Sequence, residues 1–491
     1  MTEGINSIRF SKRDNVAVAL KDLQPGDLMT FHGGEQVLLS ALTPGFKAAL
    51  RDIAEGETIT KYGEPIGIAR RAIRAGERVH DDNIASVLSG VLSADPWEKP
   101  APLQPMGKLP SFNGYRRANG AVGIRNDLWI IPTVGCVNGL LRSIVRDYPV
   151  PDGITAVRVL EHPWGCSQLG DDLDSTRDVL IGLAHNPNAA GVLIAALGCE
   201  NLRLDSVAER LADVENLVTV TLQDEPDERG TVLSKLDGLA SAAVKTRTLY
   251  AASDLTFGVK CGGSDALSGI TANPLLGKVT DRYTAMGGTV VMGEVPEMFG
   301  AEKGILARCA TREVHDDLLA LLQSFRDYYI AHGQPVFENP SPGNRAGGIS
   351  TLEEKSLGAV SKSGRSIVTA VLKYGEVAKS KGLNVVSSPG NDLVSCTALA
   401  AAGAVMIIFT TGRGTPFGTV VPTLKVATNS PLAARKANWI DFDASTAMAD
   451  GLSEAAERLI AKITAVANGE KTRAEENGIA DISIFKGGVI L

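Results

Sequence analysis

The sequence predicts an α/β protein that begins with a small β-rich domain, and two patterns carry this prediction. In the first hundred residues a short turn sequence occurs three times, as DLQPGD, DIAEGE and AIRAGE, with alternating apolar runs between the copies. From Phe112 onward, apolar strands alternate with amphipathic helical segments. Such alternation is typical of βαβ units, which form parallel sheets covered by helices.

Changes in composition divide the 491 residues into four segments, because a chain of this length exceeds one compact core. We predict a β-rich domain over 1–92, a proline-rich linker over 93–111, an α/β catalytic domain over 112–337 and a second α/β domain over 338–491. The prolines of the linker favour a stiff, extended chain. A polar, glycine-marked stretch after position 337 interrupts the alternation of strands and helices and sets the last boundary.

The apolar and amphipathic runs also predict individual elements. The predicted strands of the catalytic domain are 128–134, 155–160, 191–197, 217–222, 255–259 and 289–293. Its predicted helices are 171–185, 203–214 and 315–329. The second α/β domain has predicted strands near Val385 and at 404–410 and 424–427.

Composition limits the classes of function. The formal net charge is −7 and no cluster of lysines and arginines stands out, which argues against a nucleic-acid partner. The longest uncharged stretch, 393–412, predicts a helix, a glycine and a strand, so no membrane partner is expected. The N-terminus has no apolar core typical of a secretory signal, and six cysteines are too few for a disulfide scaffold. We therefore expect a cytoplasmic protein with reduced thiols that accepts a small anionic substrate.

Four of the six cysteines follow predicted strands directly, and these are the candidate metal ligands: Cys136, Cys166, Cys199 and Cys261. The carboxyl ends of parallel strands lie at one edge of a sheet, so we expect the four thiols to converge. The alternative is that they are structural thiols buried in the core.

The same loops contain candidates for proton transfer or ligation, namely His162, Glu200, Asp265, Glu294 and Glu297. Cysteine, histidine and glutamate together suit a borderline ion such as Fe²⁺, Zn²⁺ or Mn²⁺. Three of the cysteines could alternatively hold an iron–sulfur cluster with one open iron, a Lewis acid suited to removing a hydroxyl group.

Other polar residues in these loops are candidates for substrate binding. Arg413 lies between glycines directly after a predicted strand, where it could grip a carboxylate through two hydrogen bonds. The other candidates are Asn138, Ser264, Asn273 and Asn344. The sequence contains neither a Rossmann fingerprint nor a Walker loop, which argues against a nucleotide.

Several long motifs stand out along the chain: YRRANGAVGIRNDLWIIPTVGCVNG, HPWGCSQLGDD, LGCEN, CGGSDALSGITANP, GEVPEMFGAE, ENPSPGNRAGGISTLEEKSLG, TGRGTPFG and ATNSPLAARKANWIDFDA. These motifs resemble the altronate/galactarate dehydratase family, and the altronate dehydratase branch is the closer match. The likeness extends from DNVAVAL near the N-terminus to IFKGG near the C-terminus. It implies a SAF-type (β-clip) domain followed by Rossmann-like domains, and dehydration of a sugar acid such as D-altronate to a 2-keto-3-deoxy acid. It also implies a divalent metal, typically iron (Fe²⁺), with Mn²⁺ as the next choice.

Two positions depart from the family pattern. Family members usually carry a histidine three residues before the DN of the first motif and another in a GHK triplet, whereas this chain has Ser11 and Phe46. We therefore expect the N-terminal domain to act as a lid rather than to supply essential chemistry.

Alternatives to altronate dehydration remain. One is dehydration of galactarate or another aldonate, and another is β-elimination of a different leaving group by a sulfo-lyase. A third, from a different class, is a sugar-acid-binding protein without catalysis. The protein could also form a homo-oligomer.

Overall fold

A computed structural model describes residues 4–89, 92 and 94–491 of the chain. It confirms the predicted α/β architecture, because small antiparallel sheets come first and parallel sheets with helices follow. Among the described residues, no helix combines the length and the apolar character needed to cross a membrane.

The N-terminal domain consists of short antiparallel strands in three small sheets, with the orders β1-β2-β5-β8, β3-β4 and β6-β7-β9. The strands are β1 (Ser7–Ile8), β2 (Val16–Ala19), β3 (Leu28–Phe31), β4 (Gly34–Val37), β5 (Lys47–Ala49), β6 (Thr58–Lys61), β7 (Glu64–Ala69), β8 (Arg78–Val79) and β9 (Ile84–Ala85). The repeated turn places Gly26, Gly56 and Gly76 at φ angles of +92°, +78° and +82°. Glycine adopts this left-handed region without the steric cost of a side chain, which explains why each copy of the turn contains one.

Part of the predicted linker is described, and it is attached to the C-terminal half of the chain. Residues 94–111 contain neither a helix nor a strand. Trp97 donates a hydrogen bond from Nε1 to the carbonyl oxygen of Cys309 at 2.9 Å. Trp97 and Leu109 also pack against the apolar core beneath the last parallel sheet.

A four-stranded parallel sheet with the order β13-β12-β14-β15 follows the linker, beside a small antiparallel sheet with the order β11-β10-β16. The strands are β10 (Phe112–Arg116), β11 (Val122–Gly123), β12 (Asp127–Pro132), β13 (Val157–Val159), β14 (Ala189–Ala196), β15 (Leu217–Thr221) and β16 (Thr248–Tyr250). The helices are α1 (Asn138–Val145), α2 (Gly170–Ala184), α3 (Leu204–Ala208) and α4 (Glu228–Ala242). Strands β12 and β14 are apolar along almost their whole length because both faces of the sheet are covered.

The rest of the chain forms a seven-stranded parallel sheet with the order β19-β20-β18-β17-β21-β22-β23. The strands are β17 (Thr256–Cys261), β18 (Thr289–Met292), β19 (Val368–Leu372), β20 (Gly382–Val386), β21 (Met406–Thr411), β22 (Thr423–Ala427) and β23 (Phe442–Asp443). The helices are α5 (Ala272–Ala285), α6 (Glu302–Leu306), α7 (Arg312–Ala331), α8 (Pro342–Ala346), α9 (Leu352–Val360), α10 (Asp392–Ala401), α11 (Ser430–Arg435), α12 (Ala447–Asp450), α13 (Leu452–Ala467) and α14 (Arg473–Glu476). The strand order reverses between β17 and β21, and open α/β sheets bind ligands at such a switch point.

The seven-stranded sheet crosses the predicted boundary between 337 and 338. Its strands β17 and β18 come from the segment 112–337, whereas the other five come from 338–491. The parallel sheets therefore divide the chain between β16 and β17. Strands β17 and β18 complete the centre of the larger sheet, where each pairs with a strand from the later segment.

The carboxyl edges of the two parallel sheets face the same side of the molecule. Helix α2 begins after the loop that follows β13, and helix α10 begins after the loop that follows β20. Their C-terminal ends lie together, since Asn186 donates hydrogen bonds to the carbonyl oxygens of Ala400 and Ala404 at 2.8 and 2.9 Å. The two helices therefore run in the same direction, and both begin on the side where the strands end.

Candidate active site

The structure brings the predicted site residues together in two groups instead of one. The first group lies at the carboxyl edge of the four-stranded sheet and contains Cys136, Asn138, His162, Cys166, Cys199 and Glu200. The second lies around the carboxyl edge of the seven-stranded sheet and contains Cys261, Ser264, Asp265, Asn273, Glu294, Glu297, Asn344 and Arg413. The predicted convergence of all four cysteines on one edge is therefore wrong, because β17 belongs to a different sheet from β12, β13 and β14.

Cys261 ends β17 and lies in the wall of a cleft of 740 Å³, which we call the Cys261 cleft. Its thiol is buried, with Sγ 2.7 Å from Ser264 Oγ, and it accepts a hydrogen bond from Asn273 Nδ2 at 3.4 Å. The two glycines that follow allow a close turn. A Cβ at Gly262 would lie 2.4 Å from a carboxylate oxygen of Asp392, so a side chain there would close this part of the cleft.

A buried ion-pair network supports the floor of the Cys261 cleft. Lys260 Nζ lies 2.5 Å from Glu294 Oε1, and Lys362 Nζ lies 2.8 Å from Glu294 Oε2. Lys260 also pairs with Asp392 at 2.9 Å, and the Asp392 side chain is 31% exposed in the cleft. Burial by itself lowers the pKa of Lys260, but Glu294 and Asp392 raise that pKa well above its ordinary value.

Glu294 occupies the centre of this network and is fully buried. Burial by itself raises the pKa of Glu294, but Lys260 and Lys362 hold that pKa below its ordinary value. Its backbone has a φ of +62°, a strained conformation for a residue with a side chain, and this turn aims the carboxylate inward between the lysines. Both carboxylate oxygens of Glu294 contact groups of this network. These contacts support a positioning role for Glu294 instead of the predicted direct role in proton transfer.

Glu297, three residues further on, does reach the cleft. Its Oε1 lies 2.9 Å from Lys355 Nζ, whereas its buried Oε2 has no hydrogen-bond partner among the described residues. Lys355 also donates to Asn339 Oδ1 at 3.0 Å. Glu297 and Lys355 both line the cleft, so this pair places a carboxylate and an ammonium group in its wall.

The N-terminal domain contributes buried groups beside Cys261, and the expectation that it acts as a lid without supplying essential chemistry stays a prediction. Lys47 and Lys61 pair with Glu354 of α9 at 2.8 and 2.7 Å, and all three side chains are buried. Lys61 Nζ lies 4.7 Å from the centroid of the Tyr62 ring. Lys61 and Tyr62 line a narrow space that also borders Cys261, so this domain forms part of the site.

The remaining candidates near the seven-stranded sheet organise loops. Asp265 accepts hydrogen bonds from Ser268 and Thr428, and burial raises the pKa of its carboxyl despite these bonds. Asn344 donates from Nδ2 to the carbonyl oxygen of Ser264 at 2.8 Å, which holds α8 against the Cys261 loop. Arg413 is exposed and lines a neighbouring pocket of 640 Å³.

The two departures from the family pattern lie apart from the cleft lining. Ser11 donates from its backbone N–H to Asp14 at 3.0 Å within a surface turn. Phe46 lines the pocket that contains Arg413, with its ring centroid 5.1 Å from that of His80. Its neighbour Lys47 points instead toward Glu354.

At the edge of the four-stranded sheet, His162 and Glu200 are used for holding loops. His162 Nε2 lies 2.8 Å from the carbonyl oxygen of Pro132, and Nδ1 lies 3.2 Å from the backbone nitrogen of Trp164. Burial lowers the pKa of His162, which favours a neutral ring that donates from Nε2 and accepts at Nδ1. Glu200 accepts from the backbone N–H groups of Leu197 and Gly198 at 3.0 and 2.7 Å.

Burial by itself raises the pKa of Glu200, but its hydrogen bonds, including one from Thr133, hold that pKa below its ordinary value. His162 and Glu200 were predicted to transfer protons or to bind a metal. Their hydrogen bonds support a structural role for each.

No preformed site for a single ion is present among the residues that the structure describes. In that part of the chain, no three His, Cys, Asp or Glu side chains are placed to hold one metal ion. The donor groups around Cys261 are a hydroxyl and an amide, and the carboxylate of Glu294 is occupied by lysines. The residues of the Cys261 cleft therefore do not fit the single divalent ion that the resemblance implies.

Sequence reasoning missed the lysines of the site. Lys260, Lys355 and Lys362 are buried or nearly buried and contact its carboxylates. A signal was available for Lys260, because a charged residue inside the apolar strand TFGVKC needs a buried partner.

Three family models match successive parts of the chain. The altronate/galactarate dehydratase SAF domain matches residues 5–87, the second domain of D-galactarate dehydratase/altronate hydrolase matches 114–244, and the D-galactarate/altronate dehydratase C-terminal domain matches 252–490. The Cys261 cleft is lined by residues within the last of these matches.

Curated relatives match almost the whole chain. The chain is 46% identical to an altronate dehydratase of Bacillus subtilis (strain 168) over 496 residues, and 45% identical to an altronate dehydratase of Escherichia coli (strain K12) over 494 residues, with 99% of each chain covered in both cases. It is 33% identical to the galactarate dehydratase (L-threo-forming) of Escherichia coli (strain K12), which covers 94% of this chain and 93% of the relative. The chain therefore belongs to the altronate/galactarate dehydratase family.

Proposed function

We propose that this protein is a hydro-lyase that removes water from a sugar acid, with an aldonate of the D-altronate type as its substrate and a 2-keto-3-deoxy acid as its product. The observation that carries the proposal is the similarity to altronate dehydratases over 99% of both chains. The more distant galactarate dehydratase makes galactarate the second candidate substrate.

The Cys261 cleft supplies groups that this reaction needs. Loss of water across C2 and C3 requires removal of the weakly acidic C2 proton and departure of the 3-hydroxyl with a proton. Negative charge develops on the carboxylate and the 2-hydroxyl as the enediolate forms, so fixed cations beside them stabilise the transition state. Lys355 and Arg345 are cations that line the cleft, and Asp392 pairs with Lys260 at its floor.

Glu297 is our proposed proton carrier. Its Oε2 has no hydrogen-bond partner among the described residues, and the side chain lines the cleft. In the proposed reaction this carboxylate takes the proton from C2 and returns it to the departing 3-hydroxyl, which leaves as water. The resulting enol then tautomerises to the 2-keto acid, so protons and electrons balance without an oxidant.

We also propose a cofactor, a cellular compartment and a role for Arg413, each of which the sequence led us to expect. We propose that turnover depends on iron, and we assign no step to it in the Cys261 cleft because the donor groups there do not fit a single ion. A cytoplasmic location is supported by six free cysteines, three of them exposed. Arg413, exposed beside the Cys261 loop, is our candidate for attracting the anionic substrate.

The proposal is tested by measuring keto-acid formation from a panel of aldonates and aldarates, with ferrous iron present. We expect D-altronate to be the preferred substrate and the product to react as a 2-keto-3-deoxy acid. Faster release of sulfite from a sulfonated hydroxy acid would overturn the proposal in favour of a sulfo-lyase. Binding of altronate without turnover, in folded protein containing iron, would overturn it in favour of a sugar-acid-binding protein.

A further inference from the structure

Three exposed cysteines lie in neighbouring loops at the edge of the four-stranded sheet, outside the Cys261 cleft. Cysteine is among the residues most often buried in proteins, and Cys261, Cys309 and Cys396 follow that rule. The three exposed cysteines are Cys136, Cys166 and Cys199, and each follows a different parallel strand of the same sheet. None of the six cysteines forms a disulfide.

A glycine precedes each exposed cysteine and brings its loop close to a neighbouring segment. A Cβ at Gly165 would lie 1.8 Å from the carbonyl oxygen of Thr133, and one at Gly135 would lie 2.8 Å from the carbonyl oxygen of His162. A Cβ at Gly198 would lie 2.8 Å from Oε1 of Gln223. A larger residue at Gly135 or Gly165 would meet backbone atoms and prevent this close packing, whereas Gly198 faces a flexible glutamine side chain.

Hydrogen bonds on both sides of the cysteines fix the three loops to one another. The backbone nitrogen of Gly135 donates to the carbonyl oxygen of Trp164 at 2.9 Å, which joins the first loop to the second. Leu202 donates to the carbonyl oxygen of Gly165 at 2.9 Å, and Ser167 donates to Asn201 Oδ1 at 2.7 Å. These two bonds, on either side of Cys166, join the second loop to the third.

The third loop is also tied back to the first, because Thr133 donates to Glu200, the residue after Cys199. The three thiols therefore belong to one rigid set of loops. His162 and Glu200 help to hold these loops in place through their hydrogen bonds.

We propose that Cys136, Cys166 and Cys199 bind a [4Fe–4S] cluster through three thiolates, which leaves one iron of the cluster without a cysteine ligand. A set made only of thiols selects soft or borderline metals, and thiolates are the usual ligands of iron–sulfur clusters. The described residues provide no site in which three side chains surround one ion. A cluster does not need such a site, because each thiolate binds a separate iron and the three loops can remain apart.

Two further features fit a cluster at this edge. The C-terminal tail is held beside the second loop, where Leu491 donates from its backbone to the carbonyl oxygen of Ser167 at 2.9 Å. The tail carries the exposed apolar side chains of Val489, Ile490 and Leu491, which can shield a cluster from water. Asn138, just after Cys136, has an Oδ1 atom without a hydrogen-bond partner among the described residues, so an oxygen donor is available at the same edge.

The test uses the full-length protein, prepared without oxygen and incubated with ferrous iron, sulfide and a thiol reductant before desalting. We expect about four iron atoms and about four acid-labile sulfides per chain, together with the electron paramagnetic resonance signal of a reduced cluster after addition of dithionite. About one iron without sulfide would overturn the proposal in favour of a single-ion site. Absence of bound iron would overturn it as well.

Single substitutions assign the cluster to its ligands. Cys136→Ser, Cys166→Ser and Cys199→Ser should each lose most of the iron and sulfide while keeping the wild-type circular dichroism spectrum, because these side chains are exposed. Cys309→Ala and Cys261→Ser are the matched controls and should keep both. Full cluster content in the three exposed variants, or equal loss in the controls, would overturn the assignment.

Dehydration of D-altronate measured on the same preparations separates this inference from the proposed function. Loss of turnover in the three exposed variants would show that the reaction needs the cluster, in support of the inference. A fully loaded protein that dehydrates no acid would overturn the proposed function and leave the cluster assignment standing. Full turnover in protein without iron and sulfide would overturn the cluster inference and leave the dehydratase function standing.

Discussion

At the scale of single residues, the ion pair between Lys260 and Glu294 explains how charged side chains can be buried next to an apolar sheet. A charged side chain in a protein interior is costly unless it is paired, and here each carboxylate of the network meets at least one ammonium group. The network also fixes the Cys261 loop, because the backbone nitrogen of Cys261 donates to Glu294 Oε2 at 3.2 Å. Lys355 differs from Lys260 because it lines the cleft.

We therefore expect Lys355→Met to lower kcat/KM for the sugar acid at least tenfold, which corresponds to about 1.4 kcal/mol. The substitution removes one of the cations that line the cleft and keeps most of the apolar stem. Steady-state kinetics on D-altronate measure the effect. Lys303→Met, at an exposed lysine paired with Asp95, is the control and should leave the kinetics unchanged. An unchanged kcat/KM in Lys355→Met would contradict the assigned role.

At the scale of elements, α9 joins the N-terminal domain to the seven-stranded sheet domain. Glu354, in the first turn of α9, is paired with Lys47 of β5 and Lys61 of β6. The two lysines thus depend on a carboxylate that lies about three hundred positions later in the sequence. Thr351, the N-cap of this helix, donates to the carbonyl oxygen of Ile66, which adds a second link between the domains.

Glu354→Gln should lower the free energy of unfolding by about 3–5 kcal/mol, because two buried ammonium groups lose their counter-charge. Thermal or denaturant unfolding measures this loss. Glu64→Gln breaks the exposed pair with Arg13 and should cost less than about 1 kcal/mol. Equal effects of the two substitutions would show that the buried network does not couple the domains.

The same carboxylate makes stability depend on pH. Burial by itself raises the pKa of Glu354, but Lys47 and Lys61 hold that pKa well below its ordinary value. A carboxyl with a lowered folded pKa stabilises the protein above its unfolded pKa, about 4.3 for glutamate, and the stabilisation is lost as the pH falls toward the folded pKa. The unfolding free energy of Glu354→Gln should therefore vary less with pH below about 4.3 than that of the wild type. Parallel curves for the two proteins would contradict this.

At the scale of the whole molecule, local pattern predicted the elements but not their assembly. The stretch 393–412 gave the expected helix, glycine and strand, seen as α10, Gly403 and β21. Strands such as β14 were recognisable because apolar residues fill both faces of a covered sheet. The sheet to which β17 belongs depends on pairing with β21, nearly 150 residues later. Periodicity carries no information about such a partner.

For the candidate site, as for the fold, the sequence predicted the local parts but not how they assemble. The loops after the strands were correctly identified as the places where chemistry-bearing residues collect, since Cys261 and Glu297 both line the cleft. The division of the cysteines between two sheets followed from long-range pairing, so it could not be predicted. The roles of His162 and Glu200 could not be predicted either. A histidine or glutamate that holds a loop and one that transfers a proton look the same in the sequence.

Turnover by the whole protein should also depend on a metal. Treatment with a chelator followed by desalting should abolish turnover, and incubation with ferrous iron, sulfide and a thiol reductant should restore it better than Mn²⁺ or Mg²⁺. The expectation rests on the three exposed thiols of the four-stranded sheet, because thiolates select soft or borderline metals such as iron. Product formation from D-altronate and metal content are measured on the same samples. Full turnover in the metal-free sample would contradict the prediction.

We propose that a sugar acid is dehydrated in the Cys261 cleft and that Glu297 moves the C2 proton. The most direct measurement is the rate at which Glu297→Gln forms 2-keto-3-deoxy acid from D-altronate, compared with the wild type and with Glu313→Gln, a control at an exposed glutamate of α7. The account predicts a decrease of about 10²–10⁴-fold for Glu297→Gln, with the wild-type melting temperature and iron content, and no change for the control. Wild-type turnover in folded Glu297→Gln would contradict the account and move the reaction away from this carboxylate.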